Sequence, residues 1–107
     1  MNISELEVVS LLQLAVHETA TKLGIADVRW KGVDELLQEI AERDRLTCNE
    51  LKAFLNAYIE WYRFHKGLEE VGKADNLDMQ ETAELARLVG VRNETREAIL
   101  RRLASLS

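Results

Sequence analysis

The sequence predicts an all-α fold: a compact bundle of about five helices forming a single domain over residues 1–107. Three observations carry that expectation. The 107 residues contain no proline, the residue that most strongly breaks a helix. Leu, Ala, Glu and Arg, all good helix formers, dominate the composition. Apolar residues recur at three- and four-residue spacing, and the periodic runs are opened by capping signatures and closed by glycines.

The elements follow in order. Ser4-Glu5-Leu6-Glu7 has the form of a capping box, in which the Ser4 hydroxyl accepts from the Glu7 N–H and Glu7 reaches back. A first helix then runs to about Leu23 and stops at Gly24, which suits a left-handed cap. Its apolar positions, among them Leu6, Val9, Leu12, Leu14, Val16 and Leu23, form so wide a stripe that burial on two sides is expected. Residues 25–32 read as a connection containing Trp30. A second helix spans about Val33 to Arg43, with Asp34 and Glu35 in its first turn and Leu36, Leu37 and Ile40 on its core face. Asp44-Arg45-Leu46 reads as a turn, and Thr47-Cys48-Asn49-Glu50 as a second capping box opening a long third helix. Gly67 interrupts that helix, which bends there or ends near Gly72, and residues 73–77 form a loop. Asp78-Met79-Gln80-Glu81 opens a fourth helix to Val89, Gly90 turns the chain, and Asn93 caps a fifth helix to about Leu106. The expected core comprises Leu12, Val16, Leu36, Leu37, Ile40, Leu51, Phe54, Leu55, Tyr58, Leu85, Val91 and Ile99.

Charge and cysteine content narrow the classes of function. Residues 1–81 carry 9 Lys/Arg against 16 Asp/Glu, a charge of −7, whereas residues 82–107 carry 5 Arg against 3 Glu, a charge of +2. An acidic body repels nucleic acid and anionic membrane, and the basic tail attracts them weakly. The single Cys48 forms no internal disulfide and no thiolate metal site, which fits a reducing compartment. No run of apolar residues reaches membrane-spanning length, and no secretory lead is visible, so the expectation is a cytoplasmic protein with no membrane partner.

Two segments hint at activity. In residues 82–103, Leu85 and Ala86 on one helical pattern, Gly90 and Val91 at a turn, and Thr95, Ile99 and Leu100 on the next are spaced as in a helix-turn-helix. The segment resembles that superfamily, with Arg96 standing where the family carries a buried aliphatic. The resemblance implies a C-terminal helical hairpin whose second helix reads DNA. Arg92, Asn93, Glu94 and Glu97 would face the groove, and Arg96, Arg101 and Arg102 would lie near phosphate.

The third helix carries five of the six aromatic residues. Phe54, Tyr58, Trp61, Tyr62 and Leu68 cover more than half its circumference together with their neighbours. Such a helix is either the centre of the bundle or a partner interface. No phosphate-binding glycine loop, catalytic carboxylate pair or Ser-His-Asp order is present, and His17, His65 and Cys48 lack ligand-spaced neighbours. No catalytic residue, metal or cofactor is expected. The sequence therefore points to a small non-enzymatic regulator or adaptor that binds protein, as a homodimer or with another partner, through Phe54, Tyr58, Trp61, Tyr62 and Leu68. The alternative is a DNA-binding regulator using Arg92, Asn93, Arg96, Arg101 and Arg102.

Overall fold

The described chain folds into four α-helices, α1 (Glu5–Lys22), α2 (Val33–Arg43), α3 (Arg45–Glu70) and α4 (Met79–Leu106), with one 3-10 turn at Val28–Trp30. The structure, a computed structural model, describes residues 5–73 and 75–106, with side chains from Glu7 onward. The Ser4–Glu7 capping box and the side chain of Leu6 lie outside the described residues.

Helix ends follow local chemistry. At the end of α1, Gly24 takes a φ of +78°, the Ile25 N–H donates to the Ala20 carbonyl at 3.0 Å and the Gly24 N–H to Thr21 at 3.0 Å. This is a Schellman cap, and it turns Ile25 into the core. Gly72 repeats it at the end of α3, with a φ of +72° and a 2.8 Å bond from the Lys73 N–H to the Leu68 carbonyl. The capping box at α4 is formed reciprocally: the Glu81 N–H donates to Asp78 Oδ1 at 2.7 Å and the Asp78 N–H to Glu81 Oε1 at 3.1 Å.

The start of α3 differs from expectation. Helix α3 opens at Arg45, and its cap is Asp44, not Thr47. One Asp44 oxygen accepts from the Thr47 N–H at 3.2 Å and the other from the Thr47 hydroxyl at 2.8 Å. A carboxylate satisfies both donors at once, so Thr47 becomes a buried residue of the first turn. Glu50, freed from a capping role, pairs with Arg102 of α4.

The largest correction concerns the C-terminal third. Residues 79–106 form one helix, and neither a turn at Gly90 nor a cap at Asn93 exists. Gly90 does not take a positive φ, and a Cβ built on it meets nothing within 4 Å. A helix tolerates an interior glycine at about 1 kcal/mol relative to alanine. Burial of Leu88 on one side of Gly90 and of Ile99 and Leu103 on the other outweighs that cost, at about 1.5–3 kcal/mol for each side chain. Val91, expected as a plug between two helices, is 36% exposed because there is no hairpin to plug.

Helices α3 and α4 form the most extensive contact, an antiparallel pair. Leu51, Phe54, Tyr58, Trp61, His65 and Leu68 recur three or four apart on α3. Leu85, Leu88, Arg92, Thr95, Ile99, Leu103 and Leu106 do so on α4, as in a coiled-coil seam. Three cross-links fix the register: Glu50 with Arg102, Trp61 with Arg92, and Lys73 with Glu81. Successive cross-links run forward from Glu50 to Lys73 and backward from Arg102 to Glu81, with steps that agree to within one residue.

Helices α1 and α2 cover this hairpin unequally. At the end holding Val16, Leu36, Ile40, Cys48, Leu51 and Ile99, all four helices contribute to the core. At the other end Val8 of α1, Trp61 and Tyr62 of α3 and Leu88 of α4 form a second cluster to which α2 gives nothing. The molecule is therefore elongated, 47 × 25 × 19 Å, rather than the compact bundle expected. Its radius of gyration is 15.7 Å, against about 13 Å for a compact chain of this length. The cause is the length of α4, about 42 Å at 1.5 Å per residue.

Two outcomes test these assignments. Gly90→Ala raises stability by about 1 kcal/mol in urea denaturation, because a helical residue with open space gains from a Cβ, whereas a left-handed turn would reverse the sign. Hydrogen bonds from Thr47 and the charge of Arg102 hold the Asp44 carboxyl below its ordinary value. Its stabilisation is therefore complete above the unfolded value of about 3.9 and is lost as pH falls through the lower folded value. Asp44→Ala is less stable than the parent at pH 7, and the gap narrows on acidification below about pH 4.

Candidate functional site

Helix α1 is apolar on more sides than its neighbours can cover. Val8, Leu12, Ala15, Val16, Thr19 and Ala20 face the bundle, fully or partly buried. Leu11 and Leu14 lie on the opposite side at 42% and 64% exposure, so the first helix is not buried on two sides as expected. From Leu14 the same stripe continues through His17 to Thr21, three and seven residues on.

That stripe leads to Trp30. His17, Thr21, Asp27, Val28, Arg29 and Trp30 line one shallow recess of about 560 Å³ between α1 and the 3-10 turn. The turn is firmly held. Asp27 adopts a left-handed φ of +57°, a conformation that Asp and Asn accept more readily than other non-glycine residues. Val28 packs on the core, and Lys31 sits 3.0 and 2.9 Å from the two oxygens of Glu39. The Arg43 guanidinium of α2 donates to the Leu23 carbonyl at 2.9 Å, placing a cation at the negative end of α1. On this fixed connection Trp30 is 84% exposed. Leu11 and Leu14 on α1 and Trp30 on the adjoining turn are thus large apolar side chains displayed on an ordered frame.

The residues expected to form an interface on α3 are placed inward. Phe54, Trp61, Tyr62 and Leu68 are buried and Tyr58 is half-buried, because α4 along the length of α3 and α1 beside it occupy the faces they present. Their edge-on contacts continue along the helix, Phe54 to Tyr58 at 5.9 Å and Tyr58 to Trp61 at 5.4 Å between ring centres. His65 stacks on Trp61 with its ring 8° from parallel, and its Nε2 lies 2.9 Å from Glu69 Oε1.

The residues expected at DNA are dispersed. Arg92 lies over the Trp61 ring, its guanidinium carbon 4.3 Å from the ring centre. Arg102 is paired with Glu50, whose hydrogen bond raises the arginine's pKa. Asn93, Arg96 and Arg101 are exposed. Arg96, off-pattern for a helix-turn-helix core, faces solvent because a single helix has no second core to bury it in.

The surface at Trp30 was not singled out by the sequence. The one available signal was a tryptophan isolated between Arg29 and Lys31 in a short connection, with nothing in the pattern to bury it. Cys48, in the first turns of α3, is buried with its Sγ 3.5 Å from the Leu37 carbonyl. Among the described residues no group of three His, Cys, Asp or Glu could hold a metal ion, and no helix is long and apolar enough to cross a membrane.

Comparison of the chain with protein-family models, with curated proteins and with solved structures gave no match.

The two tryptophans should be separable by quenching. In the intact protein acrylamide quenches a solvent-exposed, red-emitting component from Trp30. Trp30→Phe leaves only the blue, protected emission of Trp61, and equal quenching of both forms would contradict this placement.

Proposed function

We propose that this chain is a non-enzymatic protein-binding module, a small adaptor or regulator, that pairs with a second copy of itself through the outer face of α1 and Trp30. The observation that carries the reading is Trp30, 84% exposed on a turn held by Lys31–Glu39 and Arg43–Leu23 contacts, with Leu14 exposed on the adjoining helix α1. Tryptophan in a rigid setting is the most frequent kind of interface anchor, since it brings a large apolar area at little cost in conformational entropy.

The charge pattern of the stripe supports a second copy as the partner. Glu7, Leu11, Leu14 and Glu18 follow one another four, three and four residues apart, with Lys22 next. A two-fold axis near Leu14 sets Leu14 against itself and brings Glu7 towards Lys22 of the second copy. Such self-complementarity is what an isologous interface needs.

The DNA-binding reading draws support from the basic C-terminal segment and from the exposed Asn93, Arg96 and Arg101. The geometry lends it less. Arg92 and Arg102 are engaged within the chain, and Arg96 and Arg101 project about 140° apart around α4 at 3.6 residues per turn.

Sedimentation equilibrium checks the proposal. A dimer forms as concentration rises, and the Trp30 emission shifts to the blue with it. Trp30→Ala weakens the dimer by about 2 kcal/mol, and Leu14→Glu abolishes it while helix content stays constant. A monomer at all concentrations with unshifted emission would remove this face as a self-interface. Micromolar, steeply salt-dependent binding to a random duplex, lost in Arg96→Ala/Arg101→Ala, would establish the DNA reading instead.

A further inference from the structure

The unequal coverage of the hairpin leaves a groove that the α1 surface does not use. Where α2 packs, it covers the junction of α1 and α3. Beyond it, the junction stays open as a groove of about 430 Å³, within the range of about 300–1,000 Å³ typical of small-molecule sites. Val9 and Leu12 of α1 and Ile59 of α3 provide apolar walls, and Gly67 keeps one wall low, since a Cβ there would meet nothing within 4 Å.

The polar side chains lining this groove are few, and all but Glu70 are donors. Tyr62 lines it, is 8% exposed, and its buried hydroxyl has no hydrogen-bond partner. A buried hydroxyl left unpaired is unfavourable, so a ligand oxygen that reaches it through a small shift of the ring is favoured. Arg63 and Lys66 border the same groove, and neither forms a hydrogen bond or ion pair within 4 Å among the described residues. On a chain of net charge −5, two cations without a partner among the described residues stand out beside an unpaired hydroxyl. The one carboxylate of the groove, Glu70, lies a turn beyond Lys66, on the side away from Ile59.

We propose that the α1–α3 groove binds a small amphipathic carboxylate, its apolar chain along Val9, Leu12 and Ile59 and its carboxylate received by Lys66, Arg63 and the Tyr62 hydroxyl. The ligand class follows from complementarity. An oxyanion accepts from a hydroxyl, an ammonium and a guanidinium at once, and charge-assisted bonds of this kind are the strong ones. The distance from Ile59 to Lys66 along α3, about 10 Å at 1.5 Å per residue, separates the apolar end from the cationic one. Glu70, a turn beyond Lys66, limits how far a carboxylate can move along the groove and holds it on the Arg63 side of Lys66. This site stands independently of the pairing assigned to α1 and Trp30.

Octanoate is the probe, with octanol and octylammonium as neutral and cationic controls, titrated into the full chain and followed by amide chemical shifts and calorimetry. Saturable octanoate binding is expected, with shifts confined to residues 9–12 and 59–67, and neither control matches it. Tyr62→Phe and Lys66→Gln each weaken binding about tenfold, the loss of one charge-assisted bond. Tyr62→Phe leaves the thermal midpoint of the free protein unchanged or higher, because it removes an unpartnered hydroxyl, so weaker octanoate binding by this variant is not a loss of fold. The proposal is overturned if octanol or octylammonium binds as well as octanoate, which would make the groove an unselective apolar cleft. It is overturned equally if both variants bind like the parent, if octanoate fails to bind, or if only an acidic helical peptide occupies the groove.

Discussion

The rest of the structure depends on the unbroken pairing of α4 with α3. Trp61 is the point where the two helices are joined most closely. The indole is buried in the seam, Arg92 of α4 lies over it, Tyr58 meets its edge and His65 stacks against it. A guanidinium placed on an aromatic face is accepted in a seam where an unpaired charge would be expelled, because the ring offers partial negative potential and the guanidinium is weakly hydrated. Arg92 and Trp61 together define one register, and the Glu50–Arg102 and Lys73–Glu81 pairs at either end agree with it. The exposed pairs add little energy in themselves; their value is in fixing alignment.

A hairpin of this length cannot be wrapped by the remaining chain. Helix α1 is 18 residues and α2 is 11, against 26 and 28 for the hairpin. The chain concentrates α2 at one end and builds a four-helix core there, leaving three helices at the other. Both surfaces with functional interest arise from this shortfall. The outer side of α1 stays open because α2, α3 and α4 all pack against its other side, leaving Leu11 and Leu14 exposed. The α1–α3 groove stays open because α2 is used elsewhere. The chemistry of the two differs, one dominated by an exposed indole and the other by Arg63 and Lys66 around a hydroxyl.

Much of the helical framework was legible because helix ends are decided by neighbouring residues. Gly24 and Gly72 close α1 and α3 in the left-handed conformation that glycine permits, and Asp78 and Glu81 cap α4 within three residues of each other. Helix α2 has the bounds its pattern suggested. Local reasoning erred at Thr47, where two capping residues competed and the carboxylate of Asp44 satisfied more donors. It erred again at Gly90, where a glycine that could end a helix is instead carried through one.

The sequence by itself determined that this protein is all-helical, where each of its four helices begins or ends at one terminus at least, and that Val16, Leu36, Ile40, Leu51, Phe54, Leu55 and Ile99 lie inside. These properties rest on capping, propensity and periodicity, all of which act within a few residues. Only the tertiary structure decided that α4 is continuous, that Trp61 is enclosed while Trp30 is displayed, and that Tyr62 borders a groove. A hydrophobic period identifies the face of a helix that seeks cover, but not which element provides it. That choice depends on helix length and on burial summed along a whole interface, and here several buried side chains on both sides of Gly90 outweighed the preference of one glycine.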